Sequence, residues 1–243
     1  MGAIKPLFVV SALAALVGSS RADAIFDQIG GTVTPDGYAF SSQRYDSPLQ
    51  QYDIIAIDDF SVGEASKLSS FTFGLSGTDQ FAVQNVHGYE FNIFSGGDDL
   101  PVVSLTGDVL HAELGTAFAT VGQAGFGVGP YTYKVTLDLS SLDFTLEAGH
   151  YWIGVTPQLD SSFGETGVLG SLLSDADSDP LNARKMNPSG GWHFPGDTAE
   201  ITNGLGDHVN LAYRLDAQPV PEPASLAALT LGTLAFIRRR SRR

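Results

Sequence analysis

Residues 131–139 read YTYKVTLDL, with apolar or aromatic side chains at every second position from Tyr131 to Leu139. Alternation with a period of two is typical of a β-strand that buries one face and exposes the other. Residues 209–215 read VNLAYRL and show the same pattern. Weaker runs of this type predict further strands at 68–75, 89–94, 102–105, 117–121 and 151–156.

Glycine-rich and acidic turns separate these runs, and no part of the body shows a sustained period of 3.6 residues. We therefore predict an all-β domain over residues 25–218. Many short strands at this spacing favour an antiparallel two-sheet sandwich of jelly-roll type. The sequence shows no internal repeat and no long linker, so a single domain is expected here.

The 243 residues carry a net charge of -14, but the charge is unevenly placed. Residues 25–218 hold six basic and 25 acidic side chains, whereas five of the 13 basic residues lie in the last six positions. Such an acidic body excludes nucleic acid as a partner, because phosphate binding needs clustered Lys and Arg. The absence of cysteine excludes disulfides, thiolate metal sites and cysteine nucleophiles.

The first 24 residues have the features of a secretory signal peptide. Lys5 gives a positive start, Leu7–Val17 is an apolar run, and the A-D-A triplet at 22–24 is a small-residue cleavage site. A buried N-terminal helix is disfavoured because the run has no amphipathic stripe. We expect the secretion machinery to remove residues 1–24, so that the mature chain begins near Ile25.

The C-terminal segment has three parts: a Pro-Glu-Pro triplet, the apolar run Ala224–Ile237, and an arginine-rich end. The prolines interrupt regular structure, the apolar run enters a bilayer as a short helix, and the arginines stay on the cytoplasmic side. At ~1.5 Å per residue the run reaches about 21 Å, short of a ~30 Å hydrocarbon core. This length favours a temporary anchor. The residues that set its orientation are Arg238, Arg239, Arg240, Arg242 and Arg243.

This order of parts over residues 219–243 resembles the PEP-CTERM sorting signal. The resemblance implies a membrane sorting enzyme of the exosortase type that recognises Pro221, Glu222 and Pro223 and processes the chain near them. It also implies a Gram-negative-type envelope and exopolysaccharide production. The three residues are then part of another enzyme's substrate and are not catalytic. A plain tail anchor is the alternative, and it would not need the triplet.

Segments of the body resemble the exported "choice-of-anchor" domains. Residues 57–60 (IDDF) and 68–73 (LSSFTF) are similar to their opening, residues 146–154 (LEAGHYWIG) to a late strand, and residues 212–215 (AYRL) to the closing strand. The resemblance implies a sandwich, and it implies neither an activity nor functional residues.

Catalytic chemistry has little support in the sequence. The body contains no G-x-S-x-G elbow, and its five histidines form no H-E-x-x-H or H-x-H pair. A polysaccharide hydrolase would use two carboxylates, but among 25 acidic residues the sequence singles out no pair. We therefore expect a protein that is not an enzyme.

Calcium is the more plausible site chemistry. Asp175, Asp177 and Asp179 have the i, i+2, i+4 spacing that lets a loop converge oxygen ligands on this cation. Pro180 and Met186 stand where an EF-hand loop requires glycine and a bidentate glutamate. A weak calcium loop and a solvated acidic loop both stay open, and the second is favoured.

Two tryptophans are candidate glycan contacts, since a flat ring stacks on a sugar face. Trp152 is predicted to lie on the strand face opposite Tyr151 and Ile153, and Trp192 to lie in a loop with His193 and Phe194. The alternative is that each ring covers a sheet edge or fills the core.

Together these features predict an exported, exosortase-processed surface or matrix protein with a structural or adhesive role in an exopolysaccharide layer. A lectin-like carbohydrate-binding module, with or without calcium, is the alternative. A secreted polysaccharide hydrolase is a weaker third.

Overall fold

A computed structural model of the chain describes residues 22–29, 35–46, 49–77, 83–95, 108–123, 131–160, 169–174, 183–186, 198–202, 206–207 and 209–220. Of these residues, 72% are in strands and 8% in helices. The strands form two antiparallel sheets, so the prediction of an all-β body is confirmed. Short 3-10 helices cover Gln50–Tyr52, Thr116–Phe118 and Ser140–Leu142.

Sheet I contains nine strands. They are β1 (Asp23–Asp27), β2 (Pro35–Ser41), β5 (Ser66–Gly77), β8 (Ala119–Gln123), β9 (Thr132–Asp138), β10 (Thr145–Leu146), β12 (Leu169–Ser174), β15 (Asn210–Leu211) and β16 (Tyr213–Pro219). Strand β5 is the centre of the sheet: β16 and β12 pair along one edge, and β9 and β10 along the other. Strand β1 pairs with β16, β8 with β9, and β2 and β15 with β12.

Sheet II contains seven strands. They are β3 (Arg44–Tyr45), β4 (Ile55–Val62), β6 (Val86–Ser95), β7 (Asp108–Gly115), β11 (Gly149–Leu159), β13 (Arg184–Met186) and β14 (Ala199–Glu200). Their order is β14-β13-β4-β11-β6-β7. The two-residue strand β3 pairs in parallel with the end of β11, and the other pairings are antiparallel.

One hydrophobic core lies between the sheets. Phe71 and Phe73 of sheet I, and Phe91 and Ile153 of sheet II, are fully buried members of it. The rings of Phe71 and Phe91 are 5.1 Å apart between centroids and tilted by 53°, a favourable aromatic contact across the two layers. The two-layer packing fits the predicted sandwich.

Buried polar groups also join the sheets. Oδ2 of Asp58 in β4 accepts a hydrogen bond from the backbone N–H of Leu211 in β15 at 2.6 Å. The hydroxyl of Tyr213 donates to the carbonyl of Ala56 at 3.2 Å and lies 2.8 Å from the Ser171 hydroxyl. Each of these buried polar groups has a hydrogen-bond partner, which offsets the cost of removing it from water.

The predicted strands agree with the structure in most cases. The 131–139, 68–75, 89–94 and 151–156 runs correspond to β9, β5, β6 and β11. The 117–121 run begins as a 3-10 turn and becomes a strand only at Ala119. The 102–105 run lies outside the described residues.

The 209–215 run was predicted as one strand and is two, which corrects that prediction. The break falls at Ala212, whose N–H donates to Leu172 while its carbonyl accepts from Gly74. The chain changes partner here, from β12 before Ala212 to β5 after it. Alternation of side chains continues through such a change, which is why the sequence pattern does not reveal it.

Candidate functional site

A polar cavity of about 340 Å³ lies on the outer face of sheet II. Strand β6 contributes Glu90 and Asn92, and strand β7 contributes His111 and Glu113. The residues between them in sequence, such as Phe91 and Ala112, belong to the core. Because neighbouring side chains of a strand point to opposite faces, the four polar groups share the outer surface.

The other walls come from three more segments. Gln43 and Arg44 lie at β3, and Gln50 and Asp53 lie at the 3-10 helix that follows it. The apolar part consists of Ile54 and Ile55, with Thr156 of β11 beside them. The cavity is therefore open and polar at its walls, with a small apolar area.

Arg44 bridges two carboxylates in this cavity. Glu90 and Glu113 are directly opposite in the register of β6 and β7, an arrangement in which like charges repel. Nη1 of Arg44 contacts Oε2 of Glu90 and lies 3.2 Å from Oε1 of Glu113. One guanidinium thus contacts both carboxylates, offsets part of their repulsion and ties β3 to the β6–β7 pair.

A second polar contact fixes the neighbouring pair. Nδ1 of His111 lies 2.7 Å from Oδ1 of Asn92, and 3.5 Å from Oε1 of Glu90. Asn92 is buried, while His111 is partly exposed. Asp53 is also buried, and its Oδ1 accepts the backbone N–H of Tyr45 at 2.7 Å. These bonds hold the cavity walls in a defined geometry.

The cavity has the chemistry of a hydrogen-bonding site. In the described part of the chain, no group of three or more His, Asp or Glu side chains is placed to hold a metal ion. Glu90 and Glu113 do form a carboxylate pair in one cavity, as a glycosidase requires. Nη1 of Arg44 contacts both carboxylates of this pair.

Trp152 lies on the outer face of sheet II, but it is fully buried. It packs in a second hydrophobic cluster with Ile55, Ile57, Phe94 and Met186. Its strand neighbour Ile153 belongs to the main core, so the predicted opposition of the two faces is observed. The buried ring offers no face to a sugar, and the core-filling interpretation is the one that the structure shows for Trp152.

The other predicted site residues belong to segments that the structure does not describe. Trp192 and the acidic loop of Asp175, Asp177 and Asp179 lie outside the described residues. So do the sorting triplet Pro221, Glu222 and Pro223 and the C-terminal arginines. The described residues contain no helix long and apolar enough to cross a membrane, and the run Ala224–Ile237 is not among them.

The structure does show how the body leads into the C-terminal segment. Strand β16 pairs with β5 as far as Pro219, opposite Ser66, and the N–H of Val220 donates to the carbonyl of Ala65 at 2.8 Å. The triplet therefore begins at Pro221, directly after Val220, and no linker separates it from the residues that are bonded to the sheet. At this same end, Asp23 of β1 lies opposite Ala217 of β16.

The residues around Arg44 were not identified from the sequence. Their only signal is the polar half of the alternation in residues 89–94 and 110–114, where Glu90, Asn92, His111 and Glu113 alternate with apolar positions. Such a pattern indicates an outward face, but it does not show that two strands and a distant arginine meet there.

Comparison with known proteins identifies one segment of the chain. Residues 219–243 match the family model of the PEP-CTERM protein-sorting motif. The motif predicted from the sequence is confirmed with the same boundaries, and it marks an exported protein targeted to an exosortase-type sorting enzyme. No curated protein matches the chain. The resemblance of the body to choice-of-anchor domains stays a prediction.

Proposed function

We propose that this chain is a non-enzymatic protein of the cell surface or extracellular matrix, with a structural or adhesive role in an exopolysaccharide layer. The observation that carries the proposal is the sorting motif at residues 219–243, which follows directly on the last strand of a β-sandwich. In this scheme residues 1–24 direct the chain to the secretion machinery, and the short apolar run holds it in the membrane until the sorting enzyme acts.

The acidic body is consistent with a matrix role. Its six basic and 25 acidic side chains favour solubility and attract cations. An acidic domain repels anionic glycans unless divalent ions bridge the two. Calcium held by the loop of Asp175, Asp177 and Asp179 would supply such a bridge, and this remains part of the proposal.

Replacement of Pro221, Glu222 and Pro223 by alanine tests the sorting claim. The variant is expected to accumulate as an unprocessed precursor in the membrane fraction, as read by immunoblotting against the body. The control replaces the exposed Glu147 by alanine, which leaves the motif intact and should leave processing unchanged. Normal processing of the triple variant would disprove the proposal.

A carbohydrate-binding module is the second candidate function. The cavity around Arg44 favours it, because concave sites with a few convergent polar groups are typical of small-ligand binding. Trp192 and the calcium loop would be additional contacts. If sugar binding to the full chain survives both EDTA and Trp192→Ala, neither of these two contacts is needed.

A further inference from the structure

We propose that the cavity around Arg44 binds an uncharged sugar residue and discriminates against uronic acids. The proposal rests on the second candidate function, a carbohydrate-binding module, and gives it a site and a ligand class.

The walls of the cavity match the needs of hydroxyl groups. Each sugar hydroxyl donates one hydrogen bond and accepts others, so a site for several of them must offer both donors and acceptors. Arg44 offers only donors, Glu90 and Glu113 are acceptors, and the amides of Gln43 and Gln50 offer both. The volume of about 340 Å³ lies at the lower end of the ligand-pocket range of ~300–1,000 Å³, which fits one or two sugar units.

The polar groups are already held in place. Arg44 contacts Glu90 and Glu113 together, and buried Asn92 is bonded to His111. Side chains fixed before binding lose little freedom when a ligand arrives, which favours a polar site of this size. The cavity thus differs from a set of surface side chains that must be ordered by the ligand.

The apolar part of the cavity wall is small. Ile54 and Ile55 line the cavity, although each is nearly fully buried. Tyr52 belongs to the same 3-10 helix as the lining residue Gln50 and is 45% exposed, but it is not among the residues that line the cavity.

The charges around the cavity select against anions. Three carboxylates, those of Asp53, Glu90 and Glu113, line the cavity with one arginine, so an added carboxylate would enter an excess of negative charge. A divalent metal ion is also disfavoured, because the guanidinium occupies the position between the two glutamates. An uncharged polyhydroxylated ligand meets neither penalty.

The test uses the full chain in detergent and saturation-transfer NMR with defined probes. These are the methyl glycosides of glucose, galactose and mannose, and glucuronic and galacturonic acids, all at the same millimolar concentration with EDTA. We expect saturation of at least one neutral glycoside and at least tenfold weaker saturation of the acids. Glu113→Gln and Arg44→Met should each weaken the neutral signal about tenfold.

Matched controls separate the site from general effects. Glu147→Gln changes the same residue type as Glu113 at an exposed position elsewhere. Lys67→Met removes another cation that is paired with a carboxylate, that of Asp143. Both controls should leave the signal unchanged. Because Glu113 is the more exposed of the two glutamates, Glu113→Gln is expected to fold, and the far-UV circular dichroism of each variant checks this.

Three outcomes would overturn the proposal: no saturation of any neutral glycoside, equal saturation of the acids, or an unchanged signal in folded Glu113→Gln. If sugar binding depends on Trp192 and not on the cavity residues, the protein is still a carbohydrate-binding module, but the cavity around Arg44 is not its binding site. Failure of sorting in the triplet variant is read independently by immunoblotting.

Discussion

Nε2 of His150 in β11 donates a hydrogen bond to Oδ2 of Asp59 in β4, with 2.9 Å between the two atoms. Asp59 is fully buried and His150 largely so, and the His150 ring packs edge-on against Trp152 at 6.2 Å between centroids. The bond joins two segments, Ile57–Phe60 and Leu146–Gly154, that are far apart in the chain. It gives both polar side chains a structural role in the outer face of sheet II.

Asp59→Asn should destabilise the fold by about 1.5–3 kcal/mol, because it weakens a buried hydrogen bond to a charged group. Chemical denaturation followed by circular dichroism measures the loss. The matched control is Asp46→Asn, since Asp46 and His87 are exposed and 3.7 Å apart. The control should change stability by no more than about 0.5 kcal/mol. Equal losses would show that burial of the Asp59–His150 pair has no energetic consequence.

Asp58 precedes Asp59 in β4, and its side chain points to the opposite face, into the space between the two sheets. Asp58→Ala removes the acceptor of the buried Leu211 N–H, and we expect a loss of at least about 2 kcal/mol. Asp58→Asn keeps an acceptor oxygen and should lose clearly less. The two variants are compared by urea denaturation. If Asp58→Ala loses no more stability than Asp58→Asn, the carboxylate does not act as the acceptor of this hydrogen bond.

The period-two pattern predicted several of the strands, since it depends only on neighbours in sequence, but it did not identify β1, β2, β4, β7 or β12. It did not predict partners: β5 pairs with β9, whose Thr136 hydroxyl lies 2.9 Å from that of Thr72, and these contacts depend on how the whole chain is arranged. The jelly-roll type of the sandwich stays a prediction for the same reason.

The alternation also failed to predict burial on the outer face. Trp152 and Ile153 lie on opposite faces of β11, yet both are fully buried, because a second hydrophobic cluster covers part of sheet II. Similarly, nothing in the sequence distinguishes Glu90 and Glu113 from the other acidic residues. Only the pairing of β6 with β7 shows that they lie together beside Arg44. Sites assembled from distant strands have no local signal in a single sequence.

Gly154→Ala should destabilise the outer cluster of sheet II. An added Cβ would lie 2.7 Å from Ile57 Cγ2, 2.8 Å from Ile55 Cδ1 and 2.9 Å from the Ala56 carbonyl oxygen, which is closer than these atoms tolerate. We expect a loss of about 1–3 kcal/mol, typical of overpacking. Thermal unfolding measures it.

Gly122→Ala is the matched control for this overpacking, because nothing lies within 4 Å of a Cβ at that position. It should leave the melting temperature nearly unchanged. Partial recovery in the double variant Gly154→Ala with Ile57→Val would identify the Ile57 contact as a cause. A Gly154→Ala protein as stable as the Gly122→Ala protein would contradict the close packing.

Burial raises the pKa of Tyr89 to about 12, from an ordinary value of 10.0. Because the folded state holds this proton more tightly than the unfolded state does, stability is retained below about pH 10 and lost between about pH 10 and 12. A difference of this size corresponds to about 2–3 kcal/mol. Burial also raises the pKa of Tyr213.

Tyr89→Phe should therefore move the midpoint of alkaline unfolding to higher pH, measured by circular dichroism together with tyrosinate absorbance. Tyr52→Phe changes an exposed tyrosine and should leave that midpoint in place. A midpoint that responds equally to both substitutions would show that tyrosine burial does not control the transition.

The pairing of β1 with β16 has a consequence for the N-terminus of the mature protein. Asp23 and Ala24 lie opposite Ala217 and Asp216, but cleavage after Ala24, as the sequence predicts, would remove both. A chain beginning at Ile25 should then be less stable than one beginning at Ala22, by about 0.5–1.5 kcal/mol for each lost backbone hydrogen bond. Thermal unfolding of the two purified chains measures this, with a chain beginning at Asp23 as the control that keeps both pairs. If all three melt together, the first two residues of β1 do not stabilise the sheet, and cleavage after Ala24 carries no penalty for the fold.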